Sequence, residues 1–427
     1  MNVDNIGKIT GIGYNIANTF VRSQENLSST RFIQDTATNW LPKATFARSK
    51  ADFAEMSFLE FIESAIFYFA SPILGEKLFR NGLFKKLQPK NIQEQVNKEI
   101  PNSVSEILKN KNISQSVKNS AITSKAGIIL ACLCIPVAEY TLSFAKNLFT
   151  LKTFKKSNFN NIAALDKKES ENKVQQERVE KSSKKHLKRA GIISALGVIS
   201  GLALAKYGAN SEKAVNIAKN IIEPGKAIAN KINPKNEKLK NLLNSFSLDF
   251  SNNNGKLALS KGQLGLTALV GLFGYSAAAS DRGKLDVLEV WTRVPLVVLY
   301  TIFGSELLEK GFIKHLSKKE DYQDLIKKDA TGKLSVPKLK DLPELAKKLA
   351  PKNGIDEVSQ YKKLLKQKTF TTAVPYAFSL IVMGFILSGM TRFWTQYRYN
   401  HANNNAKTDT ALTFNRKVPD AFKNIRK

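Results

Sequence analysis

The sequence predicts an all-α, multi-pass helical membrane protein with about six apolar helices in two internally repeated halves. Its apolar residues are gathered in blocks with lysines between them, although the mean hydropathy of the whole chain is slightly negative, at −0.24. Lys and Arg total 66 against 36 Asp and Glu, which gives a net charge of +30. Such an excess of positive charge attracts an anionic partner, either nucleic acid or an acidic membrane surface.

The apolar blocks have the length and the flanking charges expected of membrane helices, since about 20 apolar residues cross roughly 30 Å of hydrocarbon. They cover residues 58–79, 126–148, 190–206, 262–280, 287–309 and 370–391. The second and the sixth block fit this requirement best. Blocks 190–206 and 262–280 are shorter and rich in small residues, which allow close helix packing in lipid. The sequence leaves open whether these two blocks cross completely.

Gly197 and Gly201 form a G-x-x-x-G pattern in the third block. This pattern suits either a dimer seam or tight packing between helices of one subunit. We favour packing within the subunit, because the pattern is common by chance.

The first and fifth blocks carry an internal repeat. Residues 59–87 align with residues 288–316 without a gap and share eight identities in 29 positions, among them Glu60 with Glu289. Roughly two identities are expected by chance, so a duplicated unit is indicated. If all six blocks cross, the two copies are parallel, whereas the loss of one short span makes them inverted.

Each copy closes on a glycine and a short basic tail, LFKKL in the first copy and FIKHL in the second. Gly82 and Gly311 suit the left-handed position that ends a helix. The cations of the tails are the candidate interfacial anchors, because aliphatic and aromatic groups beside cations suit the lipid–water boundary. These anchors are Lys85, Lys86, Lys314 and His315. The alternative is an amphipathic turn packed on a soluble core.

The blocks and the repeat divide the chain into five regions. We predict a polar N-terminal segment at 1–56, a first membrane half at 57–206, a polar basic linker at 207–260, a second membrane half at 261–400 and a polar basic tail at 401–427.

Five of the ionisable residues within the apolar blocks are the candidate intramembrane polar site, because burying a charge in lipid costs at least about 2.5 kcal/mol. They are Glu60, Glu63, Glu139, Glu289 and Arg293. In one interpretation they converge on a midplane site for an ion, a proton or a headgroup. In the other, which we favour, they lie near block ends and reach the interface. Glu289 and Arg293 are four residues apart, a spacing that lets them pair within one helix.

Signals of enzymatic chemistry are absent from the sequence. The three histidines stand in basic or polar segments, and Cys132 and Cys134 lie alone in an apolar run without further ligands at metal-binding spacing. No phosphate-binding loop, nucleophile elbow or HExxH motif occurs. We therefore expect no catalytic site, no metal and no cofactor.

The apolar blocks predict that the protein lies in a membrane, but they do not predict its orientation there. The first forty residues contain three acidic residues and no continuous apolar core, so we expect no cleaved signal peptide. We expect integral insertion in an inner or plasma membrane. With six alternating spans, the loops after the first, third and fifth blocks carry 34 Lys and Arg, against 28 in the other exterior segments. This balance gives no orientation by the positive-inside rule.

The functional hypothesis is a non-enzymatic multi-pass integral membrane protein whose basic loops face anionic lipid headgroups or acidic partners. Its biochemical activity and oligomeric state are left open, including a homo-oligomer. The first alternative is a secondary transporter or channel-like protein with a midplane carboxylate site. The second is a soluble, basic, helical nucleic-acid-binding protein, which is disfavoured because the positive charge is spread through every connection.

Overall fold

The structure is a computed structural model that describes residues 12–25, 29–166, 171–253, 255–328 and 332–415. The first half contains α1 (Ile12–Glu25), α2 (Ser29–Thr45), α3 (Lys50–Phe69), α4 (Lys85–Leu87), α5 (Gln93–Glu99), α6 (Val104–Lys109), α7 (Gln115–Ala131), α8 (Cys134–Phe154), α9 (Phe159–Ile162) and α10 (Lys173–Tyr207). The second half contains α11 (Glu212–Ile222), α12 (Pro224–Ile232), α13 (Glu237–Ser245), α14 (Lys261–Ser280), α15 (Lys284–Leu299), α16 (Ser305–Leu316), α17 (Leu342–Asn353), α18 (Glu357–Ser379) and α19 (Leu387–Asn415).

The prediction of an all-α fold is confirmed. Strands in the described residues are confined to two antiparallel hairpins, β1 (Ser251–Asn253) with β2 (Lys256–Ala258) and β3 (Lys327–Lys328) with β4 (Leu334–Ser335). Short 3₁₀ turns occupy Gly208–Asn210, Glu320–Tyr322 and Leu339–Asp341.

Four helical stretches in the described residues are long and apolar enough to cross a membrane, judged by length and composition. They are Lys50–Leu87, Gln115–Phe154, Lys173–Asn210 and Glu357–Asn403. They contain four of the six blocks. Blocks 262–280 and 287–309 also lie on helices, but their crossing stays a prediction.

The second block is interrupted in the structure, where the sequence predicted one continuous helix. α7 ends at Ala131, Cys132 and Leu133 form a turn, and α8 begins at Cys134. Pro136 then lies in the first turn of α8, where its missing N–H costs no helical hydrogen bond. The proline is therefore accommodated by a break just before it.

Wide, π-helical winding replaces α-helix in three apolar segments, each close to a proline. The segments are Ala70–Phe84, Tyr300–Gly304 and Leu380–Ile386. The first contains Pro72, and the other two begin five residues after Pro295 and Pro375. A proline removes one backbone donor and displaces the preceding turn, which favours irregular winding.

Several helices begin at a residue whose side chain forms an N-terminal cap. The Ser49 hydroxyl accepts the backbone N–H of Asp52 at the start of α3. Ser260 and Gln263 form a reciprocal capping box at the start of α14. These bonds satisfy backbone donors that have no partner within the helix.

Glycines allow α10 to contact α7 backbone to backbone. A Cβ at Gly201 would lie 2.3 Å from the Gly127 carbonyl oxygen, and one at Gly197 would lie 2.7 Å from that of Leu130. Gly274 on α14 approaches Tyr140 on α8 in the same way, at 2.2 Å. In this chain the G-x-x-x-G pattern therefore packs helices of one subunit.

The long helices alternate in direction. Glu55 near the start of α3 contacts Thr150 near the end of α8, and Gly75 farther along the first helical stretch lies beside Cys132 just before α8, so these two stretches run antiparallel. Glu289 on α15 bonds Arg392, and Tyr300 farther along bonds Ser379 earlier in the chain, so α15 runs antiparallel to α18 and α19. Two ends of the bundle follow from this alternation. At the cavity end, α3 and α15 begin and α8 and α14 finish. At the lysine-rich end lie the connections that contain α5–α6, α11–α13 and α17.

The two larger hydrophobic clusters lie toward the lysine-rich end. The largest joins α7 to the winding over Ala70–Phe84, α5, α6, α11 and the β1–β2 hairpin, with Phe84, Ile107 and Ile122 fully buried. A second cluster joins the end of α16 to α17 and α18 around Leu316, Leu325 and Leu342. The basic linker predicted at 207–260 thus contains three helices and a hairpin.

The prediction that Gly82 and Gly311 end helices in the left-handed conformation is wrong. Gly82 lies within the winding over Ala70–Phe84, and Gly311 lies within α16. Neither has a positive φ. The tails continue the helices because they bury an apolar side chain, Phe84 in one copy and Leu316 in the other.

Candidate functional site

A charged cavity of about 140 Å³ lies among the helices near the cavity end. α3 and α15 supply most of its lining, and α2, α8, α14 and α19 each contribute one polar side chain. Its ionisable lining residues are Lys43, Asp52, Glu55, Glu60, Glu63, Lys146, Tyr275, Arg282, Asp286, Glu289, Arg293 and Arg392. Of the described residues, six carboxylates and five cations line the cavity, and five of the six carboxylates lie within 4 Å of a cation.

Arg282 organises the most buried part of this site. Its guanidinium, 2% exposed, binds both Glu55 oxygens at 2.9–3.1 Å and the Asn147 side-chain oxygen at 3.0 Å. It also lies 3.1 Å from Asp286, one helical turn away. Lys146 stands 3.7 Å from Glu55. Two cations therefore balance two carboxylates in this quartet.

A second group of ion pairs surrounds Glu289. Arg48 donates two hydrogen bonds to its carboxylate, at 2.9 and 3.2 Å, and Arg392 donates a third. Arg48 also binds Asp52 at 3.1 Å, and Arg392 lies 3.5 Å from that carboxylate. Two arginines and two carboxylates again balance, and they connect the start of α3 to α15 and α19.

Arg48 and Arg282, which lie outside the apolar blocks, keep their charge. Burial acts to lower the pKa of Arg48 and of Arg282, but the facing carboxylates outweigh it and raise both pKa values above the ordinary range. Glu289 and Asp52 act on Arg48, whereas Glu55 and Asp286 act on Arg282.

Glu60 occupies the deeper part of the cavity. It is 5% exposed, accepts a hydrogen bond from Lys43 and lies 3.9 Å from Arg293. The pairing predicted between Glu289 and Arg293 is therefore wrong. The tertiary fold brings other partners to both residues, Glu60 to Arg293 and the two arginines to Glu289.

Beyond Glu60, two further carboxyl groups face one tyrosine. The Tyr275 hydroxyl on α14 donates to Glu139 Oε1 at 3.3 Å, and Glu63 on α3 interacts with the same side chain. Glu139 is 2% exposed, and its Oε2 has no hydrogen-bond partner in the part of the chain that the structure describes. A Cβ at Gly271 would lie 2.8 Å from Glu139 Cγ, so the absence of a side chain there admits the carboxyl group.

All five sequence-predicted site residues thus come together. Glu60, Glu63, Glu289 and Arg293 line the cavity, and Glu139 reaches it through Tyr275. Whether this assembly is functional stays a prediction. No group of three His, Cys, Asp or Glu within the described ranges is arranged to hold a metal ion.

Sequence reasoning missed several charged residues of the site that lie before the blocks or at their ends. Arg48 with Asp52 and Arg282 with Asp286 are pairs spaced four apart at the starts of α3 and α15. Arg392 follows the last block directly, and Lys146 stands at the end of the second. Opposite charges four residues apart at a block boundary are the signal that could have found them.

The candidate interfacial anchors lie at the lysine-rich end, far along their helices from the cavity. Lys86, Lys314 and His315 are exposed, and Lys85 pairs with Glu94 at 2.6 Å. Their contact with lipid headgroups stays a prediction.

Comparisons with known proteins give this chain no relative: it matches no family model, no curated protein and no solved structure.

Proposed function

We propose that this chain is a non-enzymatic, multi-pass integral membrane protein. The observation that carries the proposal is a distribution of polarity that is unusual for a soluble protein: ion pairs lie buried around the cavity, while large apolar side chains on several long helices face outward. On α10, Ile192, Ile193, Leu196 and Ile199 are all more than half exposed, while Arg282 is buried. A soluble protein rarely leaves contiguous apolar surface of this kind uncovered, whereas lipid covers it without cost.

The same outward pattern recurs on the helices of the last three blocks, whereas the second block, on α7 and α8, is mostly buried within the bundle. The large exposed side chains of α14 to α19 include Phe273, Trp291, Leu296, Leu299, Phe303, Phe378, Ile381, Ile386 and Met390. They lie on blocks 262–280, 287–309 and 370–391, so all three favour lipid as the surrounding solvent.

Anionic lipid headgroups are the proposed partner of the lysine-rich end. α11, α12 and α13 expose Ile217, Ile228 and Leu242. Exposed lysines stand on and between the same helices, at positions 213, 226, 231, 235 and 238. Apolar groups beside cations on short amphipathic helices suit the surface of an acidic leaflet. Nucleic acid is the disfavoured partner.

Membrane fractionation tests the proposal. We expect the full chain to stay in the pellet after an alkaline carbonate wash and to float with lipid on a density gradient, because its outward apolar surface is covered by acyl chains. Flotation separates inserted protein from aggregate, which sediments. Release into the carbonate supernatant, or a monodisperse protein in buffer without detergent, would contradict the proposal.

A secondary transporter is the second candidate, supported by the position of the charged cavity. Its two principal helices, α3 and α15, belong to the two copies of the predicted repeat. The π-helical winding that follows them begins at Ala70 in the first copy and at Tyr300 in the second, and these positions are one residue apart in the alignment. Transport sites commonly lie between repeats, beside interrupted helices.

Proton flux tests the second candidate. Purified protein in vesicles that contain a pH-sensitive dye should dissipate an imposed pH gradient, and Glu60→Gln or Arg293→Ala should reduce the rate to that of protein-free vesicles. Glu60→Gln removes the carboxylate that Lys43 and Arg293 face, and Arg293→Ala removes one of the two cations that face Glu60. Glu306→Gln is the control, because Glu306 pairs with surface lysines on α14 and α16. Equal rates in protein-containing and protein-free vesicles would exclude proton transport.

A further inference from the structure

The inner end of the charged cavity has one negative charge in excess. Its carboxyl groups are Glu60 and Glu63 from α3 and Glu139 from α8, and the cations that face them are Lys43 from α2 and Arg293 from α15. Both cations pair with Glu60. Three carboxylates against two cations leave one uncompensated charge, and burying such a charge is costly unless the group becomes neutral.

Glu139 is the group without a compensating cation. It is buried, its Oε2 has no hydrogen-bond partner among the described residues, and the ionisable groups that act on it are Tyr275, Glu63 and Glu60. None of these three is a cation. A buried, unpartnered carboxylate oxygen that faces two other carboxylates is an unfavourable arrangement for an ionised glutamate.

The hydroxyl of Tyr275 leads to the same conclusion by hydrogen-bond chemistry. A phenol has one O–H to donate and can accept through its oxygen. It donates to Glu139 and also faces Glu63. The hydrogen bond to Glu139 uses this one proton, so an approach of Glu63 to the same hydroxyl oxygen is favourable only if Glu63 carries a proton and donates it.

We propose that Glu139 and Glu63, bridged by the Tyr275 hydroxyl, share one proton and form a proton-binding site at the inner end of the charged cavity. Glu63 lines the cavity and exchanges the proton with water there, whereas Glu139 lies behind Tyr275. Binding takes one proton from water and release returns it, without electron transfer. The proton site itself does not depend on transport. Only the further consequence, that this proton is the transported or coupled ion, rests on the transporter proposal.

Infrared spectroscopy of the full chain in detergent tests the site directly. We expect the wild type at pH 7 to show the carbonyl stretching band of one protonated carboxyl group, with the usual small shift in D₂O. The band should be lost in Glu139→Gln and in Glu63→Gln, because one ionised carboxyl group then accepts from Tyr275 and no shared proton remains. Tyr275→Phe should keep the fold and shift the pH midpoint of the band.

The matched control is Glu99→Gln on α5. Glu99 is also buried, at 6% exposed, but both of its oxygens accept hydrogen bonds, from Asn102 and Asn110, each at 3.0 Å. Its substitution should leave the band unchanged.

Three results would overturn the proposal: no protonated band in the wild type, a band that survives both Glu139→Gln and Glu63→Gln, or a band that disappears when Na⁺ replaces a bulky organic cation at constant pH. The last would assign the site to a metal cation. If the band behaves as expected but the protein shows no proton flux, the proton-binding site stands and proton transport is excluded. The proton-site proposal and the transporter proposal can therefore fail separately.

Discussion

Arg282→Met is expected to lower the free energy of unfolding by about 3–5 kcal/mol, because it leaves an uncompensated buried carboxylate. Arg282 and Lys146 balance Glu55 and Asp286, and all four groups lie in the interior with little exposure. Methionine keeps most of the side-chain volume, so the loss measures charge and hydrogen bonding more than packing. The measurement is unfolding of the purified protein in detergent, by heat or by titration with a denaturing detergent.

The double variant Arg282→Met/Glu55→Gln separates charge balance from other causes. It leaves Lys146 opposite Asp286, so one cation again balances one carboxylate, and we expect it to recover a large part of the lost stability. Lys284→Met, two residues along and exposed, is the control and should change stability by less than about 0.5 kcal/mol. A double variant less stable than Arg282→Met alone would show that the network is not held together by charge balance.

The helical fold and the identity of the candidate site residues could be read from the sequence, because both depend on local pattern. The convergence of those residues was the interpretation that the sequence analysis did not favour. Apolar blocks bounded by lysines fixed where helices lie, and Glu60, Glu63, Glu139, Glu289 and Arg293 stood out as charges inside those blocks. Their convergence follows from a general cost: charges on several apolar helices are least unfavourable when they face one another.

The partners of those residues could not be read from the sequence, since pairing depends on tertiary contacts across long separations. Glu289 bonds Arg48, 241 residues away, and Arg392, 103 residues away, instead of the nearby Arg293. The ends of the repeat were misjudged for a related reason. Gly82 favours a helix end locally, but burial of Phe84 in the largest hydrophobic cluster keeps the chain helical through that position.

The charged stretch before the third block shows a third limit. The predicted third block begins at residue 190, whereas α10 begins at Lys173 and continues without interruption to Tyr207. Strong helix formers and pairs such as Glu180 with Lys184, one turn apart at 2.6 Å, extend the helix into water. The polarity of this segment therefore indicates that it is surrounded by water, but it does not indicate whether the segment is helical.

Because α10 and α7 approach closely, we expect a Gly→Ala substitution to have opposite effects on stability at two positions of α10. Gly201→Ala should destabilise the protein by roughly 2–3 kcal/mol, because its Cβ would lie 2.3 Å from the Gly127 carbonyl oxygen, and two backbones have to separate to admit it. Gly191→Ala should leave stability unchanged or raise it by up to about 1 kcal/mol, because that position is open and alanine is the better helix former. Melting temperatures of the two variants in the same detergent provide the comparison.

The opposite signs make this pair informative about how the third block is held. If α10 were attached to the bundle loosely, through its outward apolar face, both substitutions would act only through helix propensity and both would be neutral or stabilising. A Gly201→Ala protein as stable as Gly191→Ala would therefore contradict the backbone contact with Gly127. A loss confined to Gly201→Ala would assign the small residues of this block to packing within the chain, which leaves Ile192, Ile193, Leu196 and Ile199 free to face lipid.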